Sequence, residues 1–227
     1  MGTTSGEIGR PAEVERAFSL LEGLDWTRID QICEVTHHAL ALLAQPACLG
    51  YLFDRMLADP ALLARSERQK LADRVVLYED PNDTFRLRIN RWTGASELPH
   101  NHRFPFSARI LSGKYLHALY GDVDDILGRE SESVLHPNLV RFELPGDVYT
   151  LTQQMVHQAT SYPDTISLLV RGPAMRDVTV ALNPATGRVD SEKVGIANEA
   201  PAIHAQTEMN RAQLVDVRNH LARLSLI

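Results

Sequence analysis

The chain is poor in several things at once. It holds two cysteines in 227 residues, Cys33 and Cys48. That is too few for a disulfide-stapled fold, and both fall where the spacing is helical. No stretch approaches the roughly 18 consecutive apolar residues of a membrane-spanning helix, and no charged-then-apolar leader stands at the start. Gly6 occupies the place where a myristoylation motif beginning Met1-Gly2 needs Ser or Thr. Basic charge is in deficit, with 23 Lys and Arg against 29 Asp and Glu and a net charge of −6. No basic stripe exists to neutralise phosphates, so nucleic acid is excluded as the main partner. Together these absences predict a cytoplasmic protein with reduced thiols, no membrane contact and a small-molecule ligand.

What is present suits a globular fold. Hydrophobic residues make up 44% and charged residues 23% of the chain, enough for one well-packed core. From Pro11 to about Arg68 apolar residues recur at helical spacing: Val14, Phe18 and Leu21, then Ile29, Ile32, Val35, Ala39 and Leu42. Pro46 and Pro60 each follow a helix end, and Asp59-Pro60 suits the start of a further short helix, giving about four helices.

Near Leu71 the texture changes to short runs rich in Val, Leu, Ile and Tyr, separated by turn clusters such as EDPNDT, YGDVDD and LPGD. The predicted strands are Arg74–Tyr78, Phe85–Trp92, Phe104–Leu111, Tyr115–Tyr120, Leu139–Leu144, Val148–Leu151, Met155–Gln158, Ile166–Arg171 and Val178–Leu182, with a hairpin around NPATGRVD. So many short strands at this spacing indicate a mainly β sandwich or jelly-roll barrel. After Gly195 comes a loop, then a C-terminal helix placing Met209, Leu214, Val217, Leu221 and Leu224 on an apolar face. The expected organisation is a flexible N-terminus (1–10), a helical layer (11–70), a barrel (71–190), and a loop with a C-terminal helix (191–227).

The chemistry concentrates in two places. His100 and His102 are one residue apart, and on a strand they share a face and can offer two imidazoles to one ion. An H-x-H pair alone also occurs on exposed strands. A third imidazole is available from His157, carried back by a strand after the Pro145-Gly146-Asp147 turn. Imidazole ligands suit iron, zinc, copper or nickel, and three protein ligands leave positions open for chemistry. By contrast Cys33, His37 and His38 have no partner cluster nearby and do not read as a metal site.

Gly94, His100, His102 and Gly113 fall on the glycines and histidines of the first cupin motif, and Pro145-Gly146 with His157 match the second loosely, with a longer gap and no following asparagine. Over roughly Leu71 to Leu182 the chain resembles the cupin superfamily. Phe106 stands where the first motif has its glutamate. Loss of that ligand, and the order of helices before barrel, resemble the three-histidine cysteine dioxygenase branch. The resemblance implies a double-stranded β-helix and Fe(II) held by His100, His102 and His157, with room for O2 and substrate.

That branch carries a Ser-x-His-x-Tyr pattern on the strand after its last histidine. Here Ser167, Leu169 and Arg171 take those places, so only the serine survives, and Phe106 rules out the branch's cysteine–tyrosine cross-link. Phe106 and Leu169 make the expected substrate pocket more apolar, and Arg171 supplies a cationic fork for a carboxylate. Arg74 falls roughly where the branch holds its substrate carboxylate. Tyr115 and His117 share a face and are candidates to give a hydrogen bond or proton, although an interior histidine satisfied by its neighbours reads the same way. Arg86, Arg88 and Asn90 share one face of their strand and Leu87 and Ile89 the other; only one set can line the barrel, and Arg86 and Arg88 are expected outside.

The reading this supports is a non-haem iron oxygenase of a small, carboxylate-bearing metabolite. A metal-dependent isomerase, decarboxylase or lyase without O2, or a non-catalytic ligand-binding cupin, fits the same residues. A homodimer, through barrel edges or the helical face, is left open.

Overall fold

Four helices precede the strands because the apolar residues fall three and four apart. The computed structural model describes residues 9–94, 96–129, 132–194 and 207–227. Most of the expected N-terminal tail and the loop expected after Gly195 therefore lie outside the described residues. Helix α1 (Ala12–Glu22) buries Val14, Ala17, Phe18 and Leu21. Helix α2 (Ile29–Leu43) buries Ile32, Thr36, Ala39, Leu40 and Leu43. Helix α3 (Pro46–Leu57) starts on a proline, whose missing N–H costs nothing in the first turn. Helix α4 (Pro60–Ala64) is capped by the Asp59 side chain, which accepts from the Ala61 and Leu62 N–H groups.

The strands are β1 (Glu67–Arg68), β2 (Ala72–Glu79), β3 (Arg86–Trp92), β4 (Phe106–Ser112), β5 (Tyr115–Asp122), β6 (Leu139–Glu143), β7 (Val148–Leu151), β8 (Met155–Ser161), β9 (Ile166–Arg171), β10 (Val178–Leu182) and β11 (Val189–Val194). A short helix α5 (Val123–Leu127) follows β5, and α6 (Arg211–Arg223) closes the chain behind an Asn210–Gln213 capping box. Helix α6 buries Leu214, Val217 and Leu221, with Met209 packed just ahead of it.

All strand pairs are antiparallel, and they nest. Strand β5 pairs with β6, β4 with β7, the segment at His100 with β8, and β3 with β9. Such nesting is what results when one long hairpin is wrapped into two sheets, so the architecture is a jelly roll, the fold class to which cupins belong. One sheet has the order β1-β2-β3-β9-β4-β7; the other runs β6-β5-β8 and is joined through His100 to the β10-β11 hairpin. Gly113, in the β4–β5 turn, has φ +68°, and a Cβ there would lie 2.6 Å from the Thr165 Cα. Only glycine fits.

The structure differs from the sequence expectation at two places. The helices, α6 included, lie against the large sheet on the face that carries Val75, Leu77, Leu87, Ile89, Leu168 and Val170, forming the larger of the cores. Arg86, Arg88 and Asn90 therefore face the barrel interior, opposite Arg171, Leu169 and Ser167 in register, and not outward as expected. The helical layer takes the apolar face because that face buries far more apolar area against helices than a narrow lumen could supply.

The second difference concerns His100 and His102, which do not lie on a regular strand. Pro99 and Pro105 bracket them, and prolines cannot donate to a ladder, so β4 starts only at Phe106.

Candidate metal centre

The histidine segment is held by its backbone. The N–H of His100 donates to the His157 carbonyl and the N–H of His157 to the His100 carbonyl, each at 2.8 Å. On the other side the Asn101 N–H donates to the Val180 carbonyl at 3.2 Å and the Leu182 N–H to the Pro99 carbonyl at 2.7 Å. The buried Asn101 side chain adds two bonds, accepting from the Val180 N–H at 2.8 Å and donating to the Gln153 carbonyl at 2.9 Å. One residue of true pairing thus joins β8 to β10 and fixes where the imidazoles stand.

One ring nitrogen from each of His100, His102 and His157 lies within 4.8 Å of the others. Among the described residues no second such group forms, and Cys33, His37 and His38 do not make one. His37 instead lies 3.1 Å from the Thr150 hydroxyl. The His100 Nδ1 sits 2.8 Å from the Leu98 carbonyl, an acceptor only, so Nδ1 carries the proton and Nε2 is the free donor atom. His102 and His157 face each other through Nε2 at 2.9 Å. Two ligand atoms each about 2.1 Å from one ion and at right angles lie about 3 Å apart, so the separation suits a shared transition metal. Burial, then the charge of the neighbouring imidazoles, pulls the pKa of His102 and of His157 well below the usual value, with Arg88 and Arg74 adding to the effect at His102. Both rings are neutral near pH 7, the form that ligates.

Behind His157 lies a second line of groups. Its Nδ1 is 2.9 Å from Nε2 of His117, and Nδ1 of His117 is 2.9 Å from Oε1 of Glu143. That oxygen also accepts from Arg141 Nε at 2.8 Å. His117 and Glu143 are both buried. Tyr115, on the same face of β5 as His117, donates its hydroxyl to Tyr149; burial raises both phenols, so they stay protonated.

The walls are aromatic and cationic. Phe106 meets His102 edge-on with ring centroids 4.7 Å apart, and Phe104 stacks on it at 5.7 Å. Arg171 lies over the Phe104 ring at 5.0 Å, donates to the Gly172 carbonyl at 2.7 Å and stands 3.6 Å from Asp83. Arg86 is paired with Glu79. Arg88 differs from both, because its Nε is buried with no hydrogen-bond partner. Burial, followed by the charges of Arg74, Arg171 and Arg86, lowers the Arg88 pKa to about 9. Half-buried Arg74 stands on the same inner face, opposite Asn90 in register. Ser167 accepts from Trp92 Nε1 at 3.2 Å and Asn90 Nδ2 at 3.5 Å, and Leu169 is packed with Phe106 and Tyr149.

Three residues escaped the sequence reading. Glu97 brings a carboxylate oxygen to 3.8 Å from Nε2 of His100, three residues upstream, at a position between Gly94 and His100 where the first motif specifies no residue. Glu143 sits in LVRFE, where alternation reads as a solvated face. Arg88, expected outside the barrel, faces its interior opposite Leu169. Two surface hollows of about 350 and 370 Å³ lie elsewhere, one at Arg68, Arg91 and His220 and one at Glu22, Tyr78 and Asn82.

No family model matches the chain, and no curated protein matches it. Among solved structures, KdgF from Halomonas sp. is 16% identical, with a TM-score of 0.37 over 48% of this chain and 86% of that one. An RmlC-like cupin from Shewanella frigidimarina is 15% identical, with a TM-score of 0.37 over 49% and 86%. An acetylacetone dioxygenase from Acinetobacter johnsonii is 10% identical, with a TM-score of 0.35 over 54% and 70%. No helix among the described residues is long and apolar enough to cross a membrane.

Proposed function

We propose that the protein is a non-haem Fe(II), O2-dependent oxygenase of a small carboxylate-bearing metabolite, with His100, His102 and His157 as the iron ligands. The observation that carries this reading is the convergence of three imidazole nitrogens within 4.8 Å inside a jelly roll. Neutral imidazoles suit iron and leave an ion its full double charge. When bound, ferrous iron supplies activation of dioxygen and attraction for an anionic substrate atom.

The chain's own residues supply the rest. Arg88, with a buried and unpartnered Nε, and Arg74 beside it hold the substrate carboxylate, since a buried N–H without a partner is costly and a carboxylate oxygen would satisfy it. Arg171 is already engaged by Gly172, Asp83 and Phe104, so it orients the Phe104 ring. Phe104, Phe106 and Leu169 keep water from the reacting atoms, and the Tyr115–Tyr149 pair holds a proton at a phenol oxygen close by.

The test is elemental analysis of protein prepared without added metal, wild type against His100→Ala, His102→Ala and His157→Ala, followed by O2 uptake with a panel of organic and amino acids. Iron in the wild type, its loss in each variant, and O2 uptake with a panel member are expected. Unchanged iron in all three variants overturns the site, and turnover without O2 uptake overturns the oxygenase reading in favour of a lyase or isomerase.

A further inference from the structure

We propose that Glu143 and His117 form a relay that fixes His157 in its ligating tautomer, making both of them positioning residues for the metal centre. The proposal rests on the reading of His157 as a ligand. Strand β6 is exposed at Leu139, Val140, Arg141 and Phe142, and its one buried residue is a carboxylate, Glu143. A buried carboxylate is costly unless hydrogen-bonded, and an apolar side chain would fill this place at lower cost. Yet Glu143 keeps Oε2 without a partner and uses Oε1 for His117 and Arg141.

The proton positions follow from the acceptors. A carboxylate only accepts, so the nitrogen of His117 that faces it, Nδ1, carries the hydrogen. In a neutral ring Nε2 of His117 is then a lone pair, and its neighbour, Nδ1 of His157, must be the donor. Nε2 of His157 is left unprotonated and aimed at His102 and His100. Without the relay, the proton of His157 is free to move to Nε2 and bridge toward His102. Hydrogen bonding of this kind behind a ligating histidine orients the ring and raises its basicity.

The experiment uses nitrogen-15 histidine spectra of the metal-free full chain together with Co(II) titration, for wild type, Glu143→Gln, His117→Leu and His117→Gln. In the wild type His157 is expected as the Nδ1–H tautomer. Glu143→Gln and His117→Leu are expected to give a tautomer mixture at His157 and Co(II) binding weaker by roughly 10- to 100-fold. His117→Gln, whose amide can accept from His157 and donate to Glu143, is expected to retain the tautomer and most of the affinity, a rescue that a merely space-filling role would not show. Should His117→Leu fail to fold, Glu143→Gln, of nearly identical shape, decides the question. An unchanged His157 tautomer in the folded variants overturns the relay. A wild type that binds no Co(II) overturns the metal reading instead, and the metal-free spectra still decide the relay.

Discussion

The Nε2 atoms of His102 and His157 stand 2.9 Å apart although 55 residues separate them in the chain. Two neutral imidazoles meeting nitrogen to nitrogen can share at most one proton, and a cation can take that proton's place between the two lone pairs. A binding ion should therefore stabilise the fold. At a free concentration a hundred times its dissociation constant, Fe(II) or Co(II) is expected to add about 2.7 kcal/mol. The gain should vanish in His102→Ala and His157→Ala, as read by thermal unfolding under anaerobic conditions with and without metal.

The arginines separate by their partners. Arg88→Met is expected to weaken binding of whichever carboxylate supports O2 uptake by roughly 10- to 100-fold, the loss of one charge-assisted hydrogen bond of about 1.5–3 kcal/mol. Arg171→Met, whose guanidinium is held by Gly172 and Asp83, should change that affinity by less than about threefold. Calorimetric titration of the two variants distinguishes them, and equal losses would return the anchor to Arg171.

Gly113→Ala is expected to destabilise the protein by about 2–4 kcal/mol, combining left-handed strain with a clash against the Thr165 backbone. Gly146→Ala, at φ +97° with nothing within 4 Å of the added carbon, should cost less, because only the backbone strain applies. Urea unfolding of both variants gives the comparison.

Asp73 governs part of the acid limb. Burial raises its pKa, but hydrogen bonds from Arg68 and Arg91, at 2.7 and 2.6 Å, and their charges more than offset this and hold it below the usual carboxylate range. A carboxyl depressed in the folded state contributes stability that is fully present above its unfolded pKa of about 3.9 and is lost as pH falls through the folded value. Stability should therefore drop below about pH 4 in the wild type. Asp73→Asn should be less stable at pH 7 and show a flatter acid limb when unfolding is followed between pH 7 and pH 2.5.

Much of the fold was legible locally. Periodicity separated helices from strands, because a helix repeats near 3.6 residues and a strand at two. Strand β9 was read as Ile166–Arg171, and β5 differed only by extending two residues further, to Asp122. The proline bracket around the histidines is local as well: with Pro99 and Pro105 at either end, the segment makes single-residue bridges in place of a strand.

The sequence by itself determined the elements, their turns, and the close spacing of His100 and His102. Tertiary structure alone decided that His157 lies opposite them, that Arg88 looks inward and that Glu143 is buried. The physical reason is that alternation along a strand defines two faces but not which neighbour each will meet. Face choice depends on the apolar area the helical layer offers to one side of the large sheet, and proximity across 55 residues depends on how the hairpin wraps. Neither quantity is written in any local stretch of the chain.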